Sequence, residues 1–131
     1  MHKKLFKIIF WTGYIATLII AFIPLAGEFN KIKIGPKAFQ IRLDHLLHFF
    51  AYLMICMYYL VGQRKGLNLF ITRPLGKFIL VTMLLAAVTE FVQLWVPSRA
   101  FNFFDWIANV SGIAVGLLVI RIAKKRALLK S

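Results

Sequence analysis

The sequence predicts an all-α integral membrane protein, a four-helix bundle with both termini on the cytoplasmic side. Three observations predict it. Of 131 residues, 61% are hydrophobic and only 16% charged, against about 25% charged in a soluble domain, and the mean hydropathy is +0.80. Continuous apolar runs at about 6–25, 45–62, 78–96 and 105–121 approach the ~20 residues that a helix needs to cross a bilayer core, and their lack of alternation excludes a transmembrane β-barrel. The basic residues are sorted by loop: Lys3, Lys4, Lys7, Arg64, Lys65, Arg73, Lys77, Arg121, Lys124, Lys125, Arg126 and Lys130 fall to one side, against Lys31, Lys33, Lys37, Arg42 and Arg99 on the other. By the positive-inside rule the first group is cytoplasmic. The net charge of +13 is thereby assigned to topology and not to nucleic acid, and residues 1–131 read as one domain.

The first run follows His2, Lys3 and Lys4 and exceeds the about 7–15 apolar residues of a secretion signal. Pro24 sits where a cleavage site needs a small residue, so an uncleaved span is expected. The outer loop has Lys31-Ile32-Lys33-Ile34 before Gly35-Pro36, the pattern of a short hairpin lying on the membrane surface. The single cysteine, Cys56, lies within the second run and forms no internal disulfide.

The second run opens with Asp44, His48 and Tyr52, four residues apart and therefore on one helix face. His45 is turned about 100° away from that stripe and is placed at the headgroup level. Asp44 has an ordinary role open to it as a helix N-cap. The loop at 62–77 is punctuated by Gly62, Gly66 and Pro74, and its patch Leu69-Phe70-Ile71 is expected to dip into the inner interface.

The third run carries Glu90 and Gln93, neighbours on one face, and stops at Pro97. Glu90 lies about 9–10 Å from that end, too deep for its short stem to reach water. Trp95 and Trp106 bracket a loop containing Arg99, as in an aromatic belt. The fourth run begins at Asp105, again a possible N-cap, and continues through Asn109, Gly112 and Gly116. Gly112 and Gly116 form a small-xxx-small pattern that admits close helix packing. The tail RIAKKRALLK is expected to lie against anionic inner-leaflet lipid, at about 1 kcal/mol per basic residue near the surface.

Depth alone brings Asp44, His48, Glu90, Gln93, Arg99, Asp105 and Asn109 to the outer third of the membrane, with Tyr52 about 12 Å below Asp44 on the same stripe. An outward-facing polar cleft walled by the second, third and fourth spans is the expected site. There is no phosphate-binding glycine loop, zinc-type cysteine or histidine pair, or nucleophile elbow, so no cofactor and no metal is expected. A cation held by one histidine and oxygen donors would be Mg²⁺, Mn²⁺ or Ca²⁺ before a structural zinc.

The set Asp44-x-x-x-His48-Phe49-x-x-Tyr52, Glu90-x-x-Gln93, Arg99 and Asp105-x-x-x-Asn109-x-x-Gly112-x-x-x-Gly116 resembles the VanZ-like family over roughly residues 42–120. One departure is His45, where the family often has lysine after the aspartate. The resemblance implies a bacterial inner-membrane protein of the cell envelope, and in the name-giving member a link to teicoplanin susceptibility. It implies no settled reaction.

Three functions remain open on the residues. The cleft can bind an envelope lipid headgroup or lipid-linked cell-wall precursor, with Arg99, Gln93 and Asn109 as donors. It can belong to a membrane-embedded hydrolase or transferase, with Glu90, His48, Asp44 and Asp105 as catalytic candidates. Or its polar groups only set helix register. Oligomeric state is not legible.

Overall fold

The computed structural model of the chain describes residues 2–22, 33–36, 41–96 and 102–129. They form α1 (Lys3–Phe22), a hairpin of β1 (Lys33–Ile34) and β2 (Ile41–Arg42), α2 (Leu43–Arg64), α3 (Pro74–Gln93) and α4 (Phe103–Leu128). Among these residues α2, α3 and α4 are long and apolar enough to cross a membrane. The protein is thus a multi-pass helical membrane protein, with α1 as a fourth, 20-residue helix packed chiefly on α3.

The surface is what a lipid-bathed bundle requires. Met54, Phe91 and Leu80 are 65%, 62% and 60% exposed, while Glu90 and Asn109 are fully buried. In water such an apolar belt would be an association hazard; in hydrocarbon it is the ordinary outer face, and the polar groups turn inward.

Pairing across the bundle sets the helix directions. His45 meets Asp105, His48 meets Asn109, and Phe49 lies against Gly112, so residue numbers rise together and α2 runs parallel to α4. Tyr52 meets Thr89 and Tyr59 stacks on Phe78 at 4.1 Å, so α3 runs against α2. Tyr14 donates to the Val81 carbonyl, and Phe6 stacks on Tyr58. The start of α1, the end of α2, the start of α3 and the end of α4 therefore share one end, which carries Lys3, Arg64, Arg73 and Arg121.

Three layers follow along the bundle. Near the basic end is an aromatic cluster of Phe6, Phe10, Tyr59, Phe78 and Ile120, with Leu67 and Leu69 from the α2–α3 loop. Tyr52, Leu85, Ala86 and Ile113 form the middle layer. Above them the buried residues turn polar: Thr89, Glu90, Gln93, Asn109, Asp105 and Asp44.

Several boundaries differ from the sequence expectation, each for a local reason. Neither aspartate is an N-cap. In α2 the cap position belongs to Arg42, in extended conformation with no side-chain cap bond. In α4 it belongs to Asn102, whose Oδ1 accepts from the Phe104 amide at 3.1 Å. Both aspartates lie in the first turn, where the helix dipole favours an anion; Asp44 is held by Arg42 and the His45 amide, and Asp105 faces His45 of α2. At its far end α4 continues through Lys124, Lys125 and Arg126, so the described part of the basic tail extends the helix, with no breaker to stop it and cations where the dipole favours them. The α3 helix ends at Gln93, while Pro97, named as its stop, lies outside the described residues. So does Pro24. In the loop patch, Leu69 is buried in the core but Ile71 is 92% exposed.

The hairpin is present, with Lys33 opposite Arg42 and Ile34 opposite Ile41, and Gly35 at φ 115° next to β1. It leads the chain straight into α2. At the other end of that helix, Gly66 (φ 67°) permits the Leu67 amide to reach back to the Gly62 carbonyl at 2.8 Å, a closure that needs the left-handed conformation.

One mutational contrast arises here. A methyl group on Gly13 would meet no atom within 4 Å, and alanine is favoured over glycine inside a helix by about 1 kcal/mol. Gly13→Ala should therefore raise the melting temperature slightly. At Gly62 a Cβ would strike the Phe6 ring, and Gly62→Ala should lower it; thermal scans of both variants check the opposite signs.

Candidate functional site

The polar layer is built where the first turns of α2 and α4 meet the last turns of α3. On α2, Asp44, His48 and His45 span a 100° arc at 100° per residue. That is broad enough to face both α4 and α3, which is why His45, set aside on periodicity, joins the cluster.

Its deepest part is a hydrogen-bonded chain. Asn109 Nδ2 donates to Glu90 Oε1 at 2.8 Å, and Asn109 Oδ1 lies 2.9 Å from His48 Nδ1. Because the Asn109 amide nitrogen is engaged by Glu90, its oxygen faces the imidazole, and His48 must donate from Nδ1. The Glu90 carboxylate itself stands 3.9 Å from that nitrogen. The amide thus spaces and orients an acid and a base that would otherwise pair directly.

Nearer the end of the bundle is a second group. Asp44 is clasped by Arg42, whose Nε donates to Oδ1 at 3.1 Å and whose Nη2 reaches Oδ2. The Asp44 Oδ1 also accepts from the His45 amide at 3.0 Å. This hydrogen-bonded clasp raises the Arg42 pKa above its ordinary value, so the guanidinium is a permanent charge at the rim. His45 Nε2 lies 3.2 Å from Asp105 Oδ1 and 3.5 Å from Asn102 Nδ2.

Exposure grades across the site. Asp44, Glu90, Gln93, Asp105 and Asn109 are buried, whereas the side chains of Arg42, His45 and His48 are 32%, 19% and 19% exposed. A ligand approaching this end would therefore meet a guanidinium and two imidazoles first and the acids behind them.

The residues expected from sequence separate accordingly. Asp44, His48, Glu90, Asp105 and Asn109 come together, and Gln93 is buried one turn beyond Glu90. Tyr52 does not join them. Thr89 donates its hydroxyl proton to the Ala86 carbonyl at 3.1 Å, so Tyr52 must donate to Thr89, and the tyrosine forms the floor under the cluster. Arg99 lies outside the described residues. Gly112 and Gly116 face Phe49 and Cys56 of α2, so the small residues bring α4 against α2 within one chain. Arg42, His45, Thr89 and Asn102 were not singled out as site residues. The signals for Arg42 and Asn102 were local, an Arg-x-Asp step and an asparagine three residues before an aspartate.

The sequence also matches the VanZ/LLP1 family over residues 5–124, nearly the whole chain. The chain belongs to the VanZ/LLP1 family. The match includes α1 as well as the polar layer, a wider span than the 42–120 region in which the motif residues lie. No curated protein and no solved structure matches this VanZ/LLP1 chain at a significant level.

Proposed function

We propose that this VanZ/LLP1 protein binds the headgroup of an envelope lipid, or of a lipid-linked cell-wall precursor, at the polar end of its bundle. One observation carries the proposal: three of the chain's four acidic residues, Asp44, Glu90 and Asp105, are buried together there beneath a half-exposed rim of Arg42, His45 and His48. Ionisable groups at membrane depth cost about 2.5–3.5 kcal/mol each on insertion scales and generally mark function. The rim suits a phosphate, through a charge-assisted guanidinium contact, and the carboxylates behind it suit an amine or hydroxyl. The basic residues at the opposite end support a reading, by the positive-inside rule, in which this end lies outside a bacterial inner membrane and the basic end faces anionic lipid. A link to teicoplanin susceptibility would act through such an envelope ligand.

Native mass spectrometry of the detergent-extracted protein with bacterial lipids is the test. Retained lipid that is lost when Glu90→Ala and Arg42→Ala are combined is the expected result. Equal retention in the double variant, or none in the wild type, overturns the proposal.

A second function is favoured by a separate observation. The Glu90–Asn109–His48 chain holds the imidazole in one tautomer, and a neutral His48 then carries its lone pair on Nε2, as a general base requires. Hydrolysis or group transfer on the bound headgroup would use that nitrogen. Turnover of candidate lipids by pure protein, lost in His48→Gln while lipid retention persists, distinguishes catalysis from binding alone.

A further inference from the structure

The group nearest the end of the bundle has an electrostatic mismatch that the headgroup proposal does not use. Asp105 has a side chain only 7% exposed, and its Oδ1 accepts no hydrogen bond among the described residues. Leaving a buried carboxylate oxygen unpaired costs more than the about 1–3 kcal/mol of a neutral group. The neighbour at 3.2 Å is His45 Nε2, and the Asn102 NH₂ group lies 3.5 Å from that same nitrogen. The imidazole nitrogen and the buried carboxylate oxygen thus face each other across a gap in which no hydrogen bond of ordinary geometry forms among the described residues.

The third side of this gap is Asp44. The ligating atoms of Asp44, His45 and Asp105 all lie within 4.8 Å of one another. A carboxylate has about four acceptor sites. Arg42 Nε and the His45 amide occupy Oδ1, and Arg42 Nη2 takes one site on Oδ2, which leaves Oδ2 able to accept once more.

We propose that Asp44, His45 and Asp105 form a binding site for one divalent transition-metal ion of the Zn²⁺ or Mn²⁺ class. Ligands about 2.0–2.2 Å from a tetrahedral ion are about 3.3–3.5 Å apart, close to the 3.2 Å between His45 Nε2 and Asp105 Oδ1, so this pair needs little movement and Asp44 needs a modest inward shift. Donor types alone favour Mg²⁺, Mn²⁺ or Ca²⁺, but the 3.2 Å spacing of an imidazole and a buried carboxylate is that of a tetrahedral site, which moves the preference to Zn²⁺ or Mn²⁺ and away from Mg²⁺ with its all-oxygen octahedron and retained water. Three protein ligands leave a coordination position for water or an anionic oxygen. Arg42 serves as the outer partner that orients Asp44, as such partners do in known sites. The site differs from the Glu90–Asn109–His48 chain and needs no lipid.

The test is titration of Zn²⁺ alone into the chelator-stripped, detergent-extracted full chain, followed by calorimetry, with Mg²⁺ and Mn²⁺ for comparison. The expected result is one saturating Zn²⁺ per chain, weakened by more than the about 10–100-fold typical of losing an outer partner in Asp105→Asn and in His45→Gln. Binding in His2→Ala should be unchanged, which excludes the exposed histidine. Should Asp105→Asn fold poorly, His45→Gln at its partly exposed position carries the test alone. No saturable Zn²⁺ binding by the wild type, or wild-type affinity in His45→Gln, overturns the site.

Discussion

Replacing Asn109 with leucine is expected to lower the melting temperature of the detergent-extracted protein by about 10 °C, corresponding to about 3 kcal/mol or more. Asn109 is fully buried and serves two partners at once, donating to Glu90 Oε1 at 2.8 Å and accepting from His48 Nδ1 at 2.9 Å. Leucine occupies a similar volume, so packing survives, but the contact to Glu90 is lost deep in the bundle, where no water replaces it. The double replacement Asn109→Leu with Glu90→Leu should recover part of the loss, because exchanging both members of a buried polar pair for apolar groups is often close to neutral. A double variant as unstable as the sum of the two single variants would mean that this contact is not the cause.

The second large effect is expected at Gly112. A Cβ there would run into the backbone carbonyl oxygen of Phe49 and come within 3.1 Å of its carbonyl carbon and 3.3 Å of the Leu53 amide nitrogen. Backbone atoms of a hydrogen-bonded helix cannot rotate aside, so α2 and α4 must separate, at a cost of about 1–3 kcal/mol or more. Gly112→Ala should lower the melting temperature although alanine is the better helix former by about 1 kcal/mol. Because the obstacle is backbone, adding Phe49→Ala should restore nothing, whereas at Gly62, where the obstacle is the Phe6 ring, Phe6→Ala should remove the clash. Separation at Gly112 would also pull apart the neighbouring His48–Asn109 and His45–Asp105 pairs, so Gly112→Ala is expected to reduce Zn²⁺ binding and lipid retention together.

The polar layer was partly legible because buried charge in an apolar sequence has few explanations. Glu90 stands out by depth alone, and Asp44, His48, Asp105 and Asn109 stand out by recurring at helical spacing near the start of an apolar run. Tyr52 shares that spacing but is held by Thr89, a partner on another helix that no local pattern specifies. His45 fails the same test in reverse, since a single stripe is too narrow where one helix faces two neighbours. The aspartates were given capping roles because each lies near a helix start, yet the helices begin earlier, at Leu43 and Phe103. The cap lies two residues earlier in α2 and three earlier in α4, which frees the Asp105 carboxylate to meet His45 and leaves Asp44 to Arg42.

By itself the sequence determined the material of the protein: a set of apolar helices, basic residues sorted to one end of them, and acids held near the other. These are properties of composition and order along one chain, and the hydrophobic effect acts on them locally. Only the tertiary structure decided which side chains touch. The rotation of each helix about its own axis is set by close contacts such as Gly112 on Phe49, and that rotation places Asn109 between His48 and Glu90 and turns His45 toward Asp105. Such contacts join residues about sixty positions apart in the chain, and no spacing within a single helix encodes them.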